Sequence, residues 1–143
     1  MFGQTKHNIS ATFIESTKSI NIKQHTRFYP ENLSRIDTLV FNDWNNAYAY
    51  KNSPLGKRFS DEFVSSFLLA KKDDLGKTNI HKFEVNGQDV TKNLTQDFDI
   101  IYLPNQFNSS QPLDIYIEYT LTLPNSKFSG YGISKNGDRK SVV

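Results

Sequence analysis

The segment PLDIYIEYTLTLP, Pro112 to Pro124, sets Ile115, Ile117, Tyr119 and Leu121 against Tyr116, Glu118, Thr120 and Thr122. Alternate residues of a strand point to opposite faces, so a run this long with one polar face requires an antiparallel sheet covered on one side. A helix would scatter the same residues around its axis.

Other segments repeat the pattern. NISATFIE places Ile9, Ala11 and Phe13 on one face, as a half-buried strand requires. After the polar turn STKS, Ile20, Ile22, Gln24, Thr26 and Phe28 alternate with Asn21, Lys23, His25 and Arg27, and the two runs predict an antiparallel hairpin. Pro30 and Asn32 break the pattern, and RIDTLVF resumes it as a third strand ending at Phe41. Further on, NIHKFEV and DFDIIYL each read as a strand. Asn86-Gly87 is a strong hairpin signal because both residues accept positive φ, and the return strand near Gln88 to Val90 is brief. The expected fold is a mainly β, antiparallel two-sheet sandwich or saddle-like domain, with one short helical insertion.

That insertion is NDWNNAYAYKNSPLGKRFSDEF, Asn42 to Phe63, which holds the single tryptophan. Ser53 before Pro54 is a helix-start signal: the hydroxyl accepts from an unpaired amide, and proline suits the first helical position. Leu55, Phe59 and Phe63 recur at four-residue spacing and predict an apolar stripe packed on the β domain. Lys57 with Asp61 and Arg58 with Glu62 are spaced to pair on the outer face. AKKDDLGK allows another short helical turn and closes the region, with Gly76 at a helix-ending or turn position. Asn42, Asp43, Asn45 and Asn46 are residue types that fix a loop by bonding its own backbone. Trp44, Tyr48 and Tyr50 lie in this polar connection with no clear period, and Trp44 is expected as a buried anchor or a contact to another domain.

At 143 residues the chain suits one domain. Its formal charge is +2 with the cations dispersed, so no footprint for nucleic acid or an anionic membrane stands out. The absence of cysteine excludes disulfides, thiolate nucleophiles and zinc-thiolate sites. No apolar run is long enough to span a bilayer. Asn8, Asn32, Asn93 and Asn108 begin N-x-S/T patterns of the kind an Asn- and Ser-rich chain produces by chance. His7, His25 and His81 include no i, i+4 pair for a metal, and His25 and His81 fall on polar strand faces. Asp97 with Asp99 and Asp61 with Glu62 are the closest carboxylate pairs, for which turn or strand-edge solvation is the default. No G-x-S-x-G elbow, Walker loop or G-x-G-x-x-G fingerprint is present, and SGYGISKNG reads as a loop.

The run LVFNDWNNAYAYKNSPLGKRFSDEF, followed by AKKDDLGK and the VNG hairpin, resembles the N-terminal β domain of bacterial aminopeptidase-N-like zinc metallopeptidases of Bacteroidetes type. The likeness extends from about Lys6 to Gly137 and rests mainly on the Asp-Trp-Asn-Asn-Ala-Tyr and Pro-Leu-Gly-Lys-Arg-Phe runs. It implies a non-catalytic domain, residues 1–137, packed against a thermolysin-like catalytic domain and helping to wall its site. In that parent an H-E-x-x-H helix and a later glutamate would bind zinc and remove N-terminal residues from peptides, in an exported bacterial setting. Neither that motif nor the family's G-x-M-E-N-type segment occurs in this sequence, so no catalytic, cofactor or metal residue is expected within it.

The final DRKSVV, residues 138–143, matches translated read-through of a common sequencing adapter and is expected to be a non-native tail. On this reading the domain continues with further strands, and without them a sheet edge or inner face stays uncovered. Trp44, Asn45, Asn46, Tyr48 and Tyr50 are the candidate interdomain or ligand contacts. The alternative is a free-standing β-sandwich module for carbohydrate or surface binding, with Trp44, Tyr48 and Tyr50 as a stacking platform. A self-contained enzyme built on the scattered carboxylates is a more distant third.

Overall fold

The computed structural model describes residues 3–107 and 112–134, so the 138–143 tail lies outside the described residues. The chain runs through β1 (Lys6–Ile14), β2 (Ser19–Phe28) and β3 (Thr38–Asn42), then through a helical excursion with α1 (Pro54–Asp61) and α2 (Ser65–Leu68). It returns through β4 (Lys77–Val85), β5 (Gln88–Asp89), β6 (Thr95–Asp97), β7 (Ile100–Pro104) and β8 (Leu113–Thr122). Two antiparallel sheets result, a five-stranded one ordered β1-β2-β8-β4-β5 and a three-stranded one ordered β3-β7-β6.

The long alternating run, β8, is the central strand, paired with β2 on one side and β4 on the other. The hairpin of β1 and β2 forms with Lys6 opposite Arg27 and Ile14 opposite Ser19. Asn86 and Gly87 turn β4 into β5 with φ of 51° and 79°, as the hairpin signal requires. Asn86 also ties the turn to β8, donating its amide to the Asp114 carbonyl and accepting the Asp114 amide on its side chain.

Three local expectations are corrected. The segment DFDIIYL is a hairpin instead of one strand: β6 and β7 pair antiparallel around Phe98, which has a φ of 52°. NIHKFEV carries a bulge between Ile80 and Lys82. Plain alternation would put Ile80 and Phe83 on opposite faces, and the extra residue brings both to the same core. Finally, β1 is not half-buried. Its inward set is His7, Ile9, Ala11 and Phe13, paired with Thr26, Gln24, Ile22 and Ile20, yet Ile9 is 60% exposed.

The main core lies between the sheets and contains Leu33, Leu39, Phe83, Val85, Leu103 and Leu113. A second core belongs to the helical excursion, where Ala47, Tyr48, Leu55, Phe59, Phe67 and Ala70 close around Phe128 from the segment after β8. Leu55 and Phe59 pack as the stripe predicts, but Phe63 does not: it is 94% exposed. The helix stops at Asp61, and Phe63 takes a left-handed φ of 59°. Its amide bonds the Ser60 carbonyl, and the Val64 amide bonds the Phe59 carbonyl at 2.7 Å. This is the Schellman arrangement, with phenylalanine in the position that glycine usually takes. The reversal turns Phe63 away and sends Val64 back onto the second core. At the other end, Ser53 caps α1 by accepting from the Gly56 amide and donating to the Ala47 carbonyl.

Candidate functional site

The asparagine-rich stretch folds into a 3-10 helix, Trp44–Ala49, directly after β3. The side chains of Asn45 and Asn46 reach other elements instead of their own loop, which corrects the sequence expectation for these two residues, while Asp43 does bond the loop backbone at the Asn46 amide. The Asn45 carboxamide donates to the carbonyls of Lys77 and Thr122, at 2.9 and 3.1 Å, and accepts from the Tyr131 hydroxyl at 2.9 Å. It thereby joins the starting end of β4, the finishing end of β8 and the segment beyond. Asn46 donates to the Phe98 carbonyl at 2.7 Å and accepts from the Thr78 amide at 3.2 Å. Asn45 and Asn46 are both buried, and this bonding explains how two polar side chains tolerate it.

The three aromatic candidates separate. Tyr48 is 1% exposed, with its ring among Phe59, Phe67 and Tyr131 and its hydroxyl 2.7 Å from that of Ser129. Tyr48, not Trp44, is therefore the buried anchor. Trp44 is 53% exposed and meets Tyr48 edge-on, with centroids 6.1 Å apart. Tyr50 is half-exposed against Phe98. A stacking platform of all three rings does not form, because the middle one fills the second core. Phe67, Phe128 and Tyr131, which complete that core, were not singled out by sequence reasoning. The only signal for Tyr131 was an aromatic ring between two glycines.

Asp43 stands at the junction of β3 and the 3-10 helix. Its amide bonds the Asp99 carbonyl, and its Oδ1 accepts from the Thr78 hydroxyl at 2.6 Å. Oδ2 is buried, and among the described residues no donor reaches it within good hydrogen-bonding geometry, although the Asn46 amide and the Gln96 side chain also act on the carboxyl. Burial pushes the Asp43 carboxyl above its ordinary value and the nearby Asp99 charge adds to the rise, while Thr78, the Asn46 amide and the Gln96 side chain oppose it. The Tyr131 hydroxyl is pushed up to about 12, chiefly by burial and then by Tyr48 and the Asp43 charge.

Asp43 and Thr78 also line a cleft of about 310 Å³ between the sheets. Phe41, Ile80, Phe83 and Ile117 give it apolar walls, and Gln24 and Tyr119 add polar groups, with the Tyr119 hydroxyl donating to Gln24 at 2.9 Å.

The other candidate groups are spread over several elements. Asp97 ends β6 while Asp99 lies in the following turn, and Glu62 pairs with Arg58 at 2.9 Å on the outside of α1. His7 bonds Thr26 and His81 bonds Thr120 on different strands, and His25 lies 3.8 Å from Asp114. Among the described residues, no three His, Asp or Glu side chains gather as a metal-ligand set, and no helix is long and apolar enough to cross a membrane. No family model, curated protein or solved structure matches this chain.

Proposed function

We propose that the chain is the non-catalytic N-terminal β domain of a zinc aminopeptidase-like peptide hydrolase, where it packs against a catalytic domain and helps to wall the substrate site. The resemblance in the Asn42 to Phe63 stretch suggests the family. The observation that carries the reading is the uncovered inward face of β1, where Ile9 is 60% exposed although its strand partner Gln24 lies on the core side of β2. A sheet face of this kind calls for a covering element, and further strands or a neighbouring domain would supply it. In this reading zinc and the peptide substrate belong to the catalytic domain, and the rigid Asn45 and Asn46 junction holds Trp44 outward for the domain contact.

Extending the reading frame at the source locus tests the proposal. An H-E-x-x-H helix with a later glutamate is expected downstream, and the extended protein is expected to release N-terminal residues from peptides in a zinc-dependent manner. The 143-residue chain alone is expected to release none. An intact gene without that motif, or peptidase turnover by this chain alone, overturns the assignment.

A further inference from the structure

We propose that the cleft between the two sheets, lined by Asp43, Thr78, Phe41, Ile80, Ile117 and Tyr119, binds a small organic ammonium ion with an apolar body. Three observations converge. Asp43 is 7% exposed, and among the described residues no donor reaches its Oδ2 within good hydrogen-bonding geometry, although Thr78, the Asn46 amide and the Gln96 side chain act on the carboxyl. A buried carboxylate oxygen in that state lacks part of its solvation, which a charge-assisted N–H donor restores. Among the described residues the lining holds this one carboxylate and no lysine, arginine or histidine, so a cationic ligand meets a complementary charge without a competing one. The walls of Phe41, Ile80, Phe83 and Ile117 suit a hydrocarbon or aromatic body, and about 310 Å³ is room for a small molecule but not for a folded segment.

Oδ2 is closed to solvent in this conformation. A ligand therefore engages it by turning the carboxylate about its broad terminal torsion, a rotation that moves both oxygens together and lets the Thr78 hydroxyl pass from one to the other. This site does not depend on the aminopeptidase reading, since every group it uses lies within the described strands and the β3 junction.

Phenethylamine and its neutral counterpart 2-phenylethanol are the probes, titrated into the 143-residue chain and followed by amide chemical shifts. The amine is expected to bind about tenfold or more tightly than the alcohol, with shifts concentrated at Thr78, Ile80 and Tyr119. Asp43→Asn is expected to remove that preference while the circular dichroism spectrum is retained. Equal affinity for amine and alcohol, no saturable binding of the amine, or an amine preference that survives in folded Asp43→Asn overturns the proposal. The comparison of the two probes on the wild-type chain stands even where the variant does not fold.

Discussion

Asn45 connects three parts of the chain through one carboxamide, and a smaller side chain leaves all three partners without it. Its donors satisfy the Lys77 and Thr122 carbonyls, and its oxygen receives Tyr131. Leaving buried polar groups unpaired costs about 1–3 kcal/mol each, and water entering the site recovers part of that. Asn45→Ala is therefore expected to lower stability by about 3 kcal/mol in urea unfolding, and a loss below measurement error contradicts this account. Asp43 acts in the opposite sense at neutral pH. Burial raises its folded-state pKa above the ordinary 3.8, so between those two values the native state holds more protons than the unfolded chain. The stability it contributes is fully present below 3.8 and is lost as pH rises through the folded value. Asp43→Asn, which does not ionise, is expected to melt higher than wild type at pH 7 and to lack this decline on the acidic side. Melting curves of the two proteins from pH 4 to 7 check it, and parallel profiles contradict it.

At the scale of elements, the end of α1 and the bulge in β4 show how a local pattern yields to packing. Phe63 continues the i, i+4 series of Leu55 and Phe59, which reads as an apolar stripe. The helix is short, however, and the Val64 side chain reaches the second core only when the chain reverses at Phe63. The left-handed conformation costs a non-glycine residue about 1–2 kcal/mol, and the exposed ring gains little burial to offset it. Phe63→Gly is expected to stabilise the chain by about 0.5–1 kcal/mol, after allowing for the greater freedom of glycine in the unfolded chain. A destabilised variant in the same assay contradicts this. In β4, Ile80 and Phe83 are three residues apart in a strand, and this odd spacing between two inward apolar residues was a readable bulge signal. The β6 and β7 hairpin gave a weaker one, because Phe98 at positive φ occupies a turn position where sequence reasoning looks for glycine or asparagine.

At the scale of the molecule, the sheets are unequal, five strands against three, and β1 at the edge of the larger one keeps Ile9 open to solvent. Lys6 and Arg27 give that region some charge, but Ile9 remains an apolar residue on an exposed edge strand. The isolated chain is expected to self-associate with rising concentration, and Ile9→Lys is expected to return it toward a monomer in sedimentation velocity. A wild-type chain that stays monomeric throughout, with cooperative unfolding well above ambient temperature, contradicts the open-face account.

The strand pattern carried the fold class. Period-two alternation in β2 and β8, Asn86-Gly87 and the Ser53-Pro54 start each depend on neighbours in sequence, and each formed as the residues indicate. The candidate site depended on distance in space. Nothing local distinguishes Trp44 from Tyr48 as the buried ring, since both are aromatic and flanked by polar or small residues. Tyr48 is buried because Phe67 precedes β4 and Phe128 and Tyr131 follow β8, and the fold brings all of them to one place. The bonding of Asn45 and Asn46 likewise spans 32 to 86 residues of chain. Side-chain period records which face a residue occupies, while burial and charge partners follow from which faces meet, and only folding brings those together.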